Sequence, residues 1–389
     1  MSPPASPVLL RPPSSASMGT ATPDLPQTRH PAVMPRLGPP LAARSLKLAL
    51  TVAHGVLTQD RRERFTEEPL PLAVEHVPYT TDDGWQCSLY RCPPLPGATG
   101  EPVLLAHALG MNRLSLDYAA RDGLVSLLHA WGFDLWLWEH RADGSAFPPR
   151  RARAFDADDI AAQDLPAALD LVRERSGYAR VGWVGHGLGG QLLYLHLAQE
   201  PDSPIFAAAC LGAAVRFQAP RSTARTVGTV ASLLPPRLGL PARQVMRLLS
   251  PGTSADPFIG QGLCAGGIEG PRLRGLMNHG VEDLTGGLVR QVARWLSSGA
   301  LCDARGQIDT LEALRGVPLP LLAVAADDDP VCPPEAAFAV LESLGHAGTQ
   351  TLRVREPCGH LDLVQGELCA RTTGPAVAAW LDAHRRRAW

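Results

Sequence analysis

Val181-Gly182-Trp183-Val184-Gly185-His186-Gly187-Leu188-Gly189-Gly190 reads as a strand, a sharp glycine-rich turn and a helix start. That is the layout of a nucleophile elbow, G-x-S-x-G, in which small flanking residues permit a strained turn that raises the central side chain above a sheet. Gly185, His186, Gly187 and Gly189 fill the elbow positions, and the central one is Gly187, so the shape is kept and the nucleophile is lost. Taken alone, the segment reads equally well as a glycine-rich turn with no chemistry. A dinucleotide fingerprint fits less well: the G-x-G-x-x-G spacing is absent, and the turn comes mid-chain rather than after the first strand.

Working outward, short strand-like runs alternate with helical ones. The pattern predicts strands over 72–77, 86–91, 103–107, 133–139, 180–185, 205–212, 319–326 and 350–355. It predicts helices over 42–64, 115–131, 158–176, 190–199, 334–345 and 373–387. VLLAHA and LLAVAA are apolar on both faces, as buried parallel strands are. A hairpin-like start followed by alternating strands and helices implies an α/β fold with a mostly parallel central sheet flanked by helices. The alternation stops over 216–316, a helical stretch (243–249, 272–278, 288–296) broken by Pro235, Pro236, Pro241, Pro251 and Pro257. It reads as a helical cap inserted over the C-terminal edge of the sheet, where open α/β folds place ligands. The expected organisation is a Pro-rich disordered tail over 1–41, a core over 42–215, the cap over 216–316, and the rest of the core over 317–389.

Composition narrows the function. Thirty-six basic side chains, all but Lys47 arginine, stand against 38 acidic ones for a net charge of −2. A nucleic-acid or anionic-membrane binder needs a basic face, so neither is expected. The longest apolar runs are about half of what crossing a bilayer requires, and no transmembrane segment is expected. Eight cysteines lie scattered, with no CxxC pair and no metal-ligand spacing. This predicts free thiols, a cytoplasmic setting, and no metal or cofactor. Trp136, Trp138 and Trp183 sit in strand patterns and are expected in the core.

The elbow has the partners it would need further along the chain. The strand over 319–326 runs into Asp327-Asp328-Asp329-Pro330, and Cys358-Gly359-His360-Leu361-Asp362 places a histidine in a loop after the last strand. An imidazole oriented by a carboxylate is the general-base arrangement of acyl-transfer enzymes. Either piece alone is more often surface; together, at these strand ends, they point to a site. Leu104-Leu105-Ala106-His107-Ala108-Leu109-Gly110 could lend a backbone N–H which, with that of Leu188, would form an oxyanion hole.

These segments, with DGWQCSLYR, GFDLWLWEHRADGS, AAQDLPAALDLV, NHGVEDL and CGHLDLVQG, resemble the α/β-hydrolase superfamily, and within it the acid-lipase-like branch, over residues 82–366. The resemblance implies Asp329 as acid, His360 as base, and Leu109 and Leu188 as oxyanion donors. It departs at two positions, where Gly187 stands for the serine and Ala108 for a glycine. Ala is tolerated at 108 if φ there is negative. No Ser, Thr or Cys lies in the elbow, His186 is expected to point away from the catalytic axis, and Cys358 is expected to pack. Three readings follow. The chain is a pseudohydrolase binding an apolar acyl or lipid-like ligand, a carboxylic-ester hydrolase whose His360–Asp329 dyad uses water or a non-standard nucleophile, or a scaffold. Whether it is an enzyme, and whether it has a protein partner, the residues leave open.

Overall fold

The computed structural model describes residues 69–118, 122–218, 270–344, 351–356 and 358–385, with residues 228, 229, 231, 235, 239–244 and 268 between them. The tail expected over 1–41 and the helix over 42–64 lie outside the described residues, as does most of the helix expected over 243–249.

Apolar runs buried on both faces set the architecture. Strands β1 (Glu75–Thr80) and β2 (Gln86–Cys92) form an antiparallel hairpin, followed by β3 (Pro102–Ala106), β4 (Asp134–Glu139), β5 (Val181–His186) and β6 (Ile205–Leu211). A two-residue ribbon pairs β7 (Gly239–Leu240) with β8 (Leu284–Thr285), and β9 (Leu321–Ala326) and β10 (Thr351–Glu356) complete the main sheet. The eight-stranded order is β1-β2-β4-β3-β5-β6-β9-β10, antiparallel at β1, β2 and β4 and parallel from β4 through β10.

Alternate residues of β3 face opposite layers. Leu104 and Ala106 join Trp136, Trp138 and Trp183 in a core covered by α2 (Leu165–Ser176) and α3 (Leu188–Leu197). Val103 and Leu105 face the other layer, covered by α1 (Leu124–Ala130) and α7 (Gly374–Arg385). The three tryptophans are fully buried, as their strand positions imply. Within 216–316 the structure holds α4 (Gly270–His279) and α5 (Gly286–Ser298); α6 (Pro334–Leu344) packs on β9. Among the described residues no helix is long and apolar enough to cross a membrane. The seven described cysteines are free and buried.

Two expectations shift. The helix expected over 115–131 is only Leu124–Ala130, preceded by a 3₁₀ turn at Arg113–Ser115. The first strand starts at Glu75 rather than 72. One contact accounts for both. The buried Asp117 carboxylate accepts the Leu72 N–H at 3.2 Å, and Leu70 N–H donates to Tyr118 O at 2.8 Å, so each segment is used to hold the other. A fully buried Asp117 with no ion-pair partner among the described residues is costly as an anion. Burial pushes its carboxyl up to about 7, against the weaker pull of the Leu72 N–H and of Arg113. With the folded-state value above the unfolded one, the native state holds more protons between about pH 4 and 7, and stability falls as pH rises through that window. Asp117→Asn keeps the acceptor and removes the charge. Relative to wild type, the variant is expected to gain on the order of 2 kcal/mol between pH 4 and pH 8, read from urea unfolding at stepped pH.

Candidate active site

At the end of β5 the chain turns at Gly187 with φ 51° and ψ −113°, and α3 begins at the next residue. Positive φ is a conformation that side-chain-bearing L-residues occupy only under strain, and glycine occupies it freely. The flanking glycines are required for a different reason. A methyl on Gly185 would lie 2.5 Å from Gly190 N, and one on Gly189 would lie 2.6 Å from the Ala106 carbonyl carbon. The first turn of α3 therefore lies directly on the backbone of β3, where Gly189 N–H donates to His107 O at 3.0 Å.

The loops after β9 and β10 bring together the two distant residues singled out in the sequence. His360 Nδ1 is 2.6 Å from Asp329 Oδ2, both side chains being buried. Asp329 Oδ1 accepts the N–H groups of Val331 (2.7 Å) and Cys332 (2.9 Å), which fixes the carboxylate by its own loop. The carboxylate assigns a proton to Nδ1 and leaves Nε2 as the working face. That Nε2 is 3.3 Å from where a Cβ on Gly187 would stand. His186 does point away from this axis. Its ring packs 4.3 Å behind that of His360 and its Nε2 is 3.1 Å from the His360 carbonyl oxygen. Burial and the adjacent His360 hold His186 well below the ordinary histidine range, so it donates as a neutral ring.

The Ala108–Leu109 loop lies beside the elbow. Among the described residues the N–H groups of Leu109 and Leu188 have no hydrogen-bond acceptor. Ala108 does not have positive φ, which meets the condition its side chain set. Its methyl would be 3.2 Å from a Cβ on Gly187, so the two departures from the family pattern touch each other. Cys358 is buried, and burial pushes its thiol up to about 12. It packs as expected, and a buried thiol of that basicity is not a thiolate nucleophile.

Two contributors escape sequence reasoning. Gly212, at φ +57°, ends β6, and a methyl on it would lie 2.9 Å from both Cε1 and Nδ1 of His360. Glu282, just before β8, donates its N–H to Gly110 O at 2.8 Å. Its carboxylate accepts Asn112 Nδ2 (2.8 Å), Gly144 N–H (3.2 Å) and Arg243. A single buried carboxylate thus ties the segment before β8 to the loops after β3 and β4. A glycine at a strand end is the only sequence signal for the first, and the second lies in the NHGVEDL segment with no local sign of its role.

An elbow turn at the head of a helix, a His–Asp pair facing it, and two free amides alongside define the α/β-hydrolase architecture. The alpha/beta hydrolase fold family model matches residues 101–367, and the chain belongs to that family. It is similar to human lipase member K, 27% identical over 143 residues, which are 33% of this chain and 35% of that protein. Human gastric triacylglycerol lipase is 26% identical over 141 residues, 33% of this chain and 35% of that one. The chain thus matches about a third of the length of these relatives. A monoacylglycerol lipase from Paleococcus ferrophilus shares the fold with TM-score 0.51 at 19% identity, covering 76% of this chain and 99% of its own. A thermostable carboxyl esterase from Bacillus coagulans does so with TM-score 0.54 at 14% identity, covering 80% and 99%.

Gly212→Ala forces a side chain into positive φ and against the His360 ring. It is expected to cost about 2 kcal/mol or more of stability and to part the His360–Asp329 hydrogen bond. Denaturant midpoints read the first effect, and the low-field Nδ1–H proton resonance reads the second.

Proposed function

We propose that the protein is a pseudohydrolase, a lipase/esterase-type fold whose pocket binds an apolar acyl or lipid-like ligand without forming an acyl-enzyme. The observation that carries this reading is Gly187 at the elbow with His360 Nε2 facing the space its side chain would fill. Asp329 and His360 stand as acid and base, Leu109 and Leu188 as oxyanion donors, and the atom that would attack a carbonyl is missing. Such a site retains the means to bind an ester carbonyl and loses covalent catalysis. Loss of a triad serine lowers turnover by about a million-fold in a well-studied protease and leaves roughly a thousand-fold over water.

An apolar ligand is supported by the buried cluster beside the dyad. Ala108, Met111 and Leu361 of the core pack there with Ile268, Leu276 and Met277 of the inserted region. The segment 216–316 is proposed as the cap over this cluster. The free, buried thiols support a cytoplasmic setting.

A second reading has support from the same geometry. His360 Nε2 faces the vacated space, so a water held there could be deprotonated and attack an ester directly. One experiment separates the two. Wild type, Gly187→Ser and Gly187→Ser/Ala108→Gly are treated with a fluorophosphonate probe and with a short-chain p-nitrophenyl ester. The expected result is neither labelling nor turnover in wild type, and both in the serine variants. The double variant is expected to exceed the single one, because removing the Ala108 methyl relieves the 3.2 Å contact with the new Cβ. Restoring the nucleophile is expected to raise turnover by about a thousand-fold or more over background. Wild-type esterase activity that His360→Ala abolishes would overturn the pseudohydrolase reading in favour of water activation.

A further inference from the structure

A second cluster of chemically able side chains lies directly behind the oxyanion loop, outside the His360–Asp329 pair. His107 ends the segment after β3, and His140 and Asp143 lie in the turn after β4. All three are buried, with exposures of 2%, 3% and 5%. His107 Nε2 is 3.1 Å from Asp143 Oδ2, His140 Nδ1 is 3.3 Å from the same oxygen, and the three ligand atoms fall within 4.8 Å of one another. Ligands bound at 2.0–2.1 Å around a tetrahedral zinc stand about 3.3 Å apart. The two measured separations match that edge.

The hydrogen bonds around the cluster set the ring nitrogens as a metal would require. His107 Nδ1 is 3.0 Å from the Ala108 carbonyl oxygen, which can only accept, so Nδ1 carries the proton. This is the outer contact that orients a metal-bound histidine and turns Nε2 inward. On His140, the Ala142 N–H at 3.3 Å marks Nδ1 as unprotonated, and a metal ion would take over the single lone pair that this long contact uses. The 3.3 Å approach of Nδ1 to Asp143 Oδ2 makes no hydrogen bond, and it sets two electron-rich atoms face to face in a buried space. His140 Nε2, also buried, has no partner among the described residues. Protons satisfy most of this arrangement, since Asp143 Oδ2 accepts the His140 N–H at 2.6 Å and His107 Nε2 at 3.1 Å; what they leave is the His140 Nδ1–Asp143 Oδ2 approach and the unpartnered His140 Nε2. A cation among the three atoms would replace the proton between His107 Nε2 and Asp143 Oδ2 and turn the close approach of His140 Nδ1 to that oxygen into shared ligation.

We propose that His107, His140 and Asp143 form a binding site for a divalent transition-metal ion of the zinc class, with a structural role. Two imidazoles and one carboxylate suit zinc and its neighbours and disfavour magnesium and calcium, which take oxygen ligands. The site's place in the fold gives the ion its effect. The His107 carbonyl receives Gly189 N–H from the elbow helix, and Leu109 lies two residues on. An ion on His107 pins the start of the oxyanion loop to the turn after β4, independently of whether Gly187 permits catalysis. Thirty-three residues separate His107 from His140, so no short motif announces the site.

The test uses the full chain, dialysed against a chelator and titrated with cobalt(II), whose visible absorption reports coordination. One equivalent of cobalt should give ligand-field bands of a four-coordinate site, be displaced by zinc, and raise the melting temperature. His107→Gln and Asp143→Asn should each abolish the bands, while His76→Gln, at the exposed edge of the sheet, should leave them unchanged. Should both cluster variants fail to fold, X-ray absorption on wild type loaded with one zinc decides the matter, with two imidazole nitrogens near 2.0 Å expected. Absence of stoichiometric binding in wild type, bands that persist in both cluster variants, or a zinc shell without two imidazoles would each overturn the proposal.

Discussion

The first turn of α3 runs against the backbone of β3 with no side chain between them, and the rest of the site is organised around that approach. Gly189 makes it possible, since a methyl there would meet the Ala106 carbonyl. Gly185 lets the turn close on itself, and Gly190 lets the same helix pass Ala213 and Cys210 at the end of β6. Three glycines in one short stretch thus bring the C-terminal ends of β3, β5 and β6 to a common point. The Gly189 N–H to His107 O bond then fixes the loop carrying Leu109, while Leu188 stands at the positive end of the α3 dipole. The placement of both amides, which have no acceptor among the described residues, follows from one steric requirement.

The opposing half of the site is held by charge and hydrogen bonds rather than by close packing. Asp329 is fixed by two amides of its own loop and orients His360, which lies between the His186 ring and the space over Gly187 and Gly212. Each neighbour of the imidazole has a distinct function. Asp329 sets the tautomer, His186 holds the backbone carbonyl, and the two positive-φ glycines leave the ring room. None of this depends on a residue at 187 capable of attack, which is why the geometry survives a glycine there.

What the sequence discloses follows from range. The strands were legible because runs such as LLAVAA carry their burial within themselves, and β9 and β10 lie within two residues of their expected bounds. Asp329 and His360 were legible because their place at strand ends is a local fact. The helix expected over 115–131 failed because Leu116, Leu124 and Leu128 have the right spacing while Asp117 is committed to Leu72, 45 residues away. The roles of Gly212 and Glu282 were hidden for the same reason, although the NHGVEDL segment that holds Glu282 carried part of the resemblance. One matters through a ring contributed by a loop nearly 150 residues downstream, the other through three loops that meet only in the folded chain. The cluster at His107, His140 and Asp143 is a stronger case, since its members look like ordinary strand-end residues until the sheet pairs β3 with β4.

The contact between residues 108 and 187 bears on how the missing nucleophile should be understood. In sequence they are two unrelated departures, one severe and one mild. In space the Ala108 methyl lies 3.2 Å from the position of the absent Cβ, closer than side chains ordinarily pack. A serine at 187 needs a small residue at 108, and a glycine at 187 removes that need. Alanine then costs nothing sterically and reduces the backbone freedom of the loop that carries Leu109. The pair is therefore self-consistent: volume given up at the elbow is partly refilled from the oxyanion loop, and the loop gains rigidity. A site that had merely lost its serine would leave a hole at 187. This one is packed around the loss on one side while its His–Asp pair remains intact on the other. The site thus keeps its shape and polarity without the reacting atom.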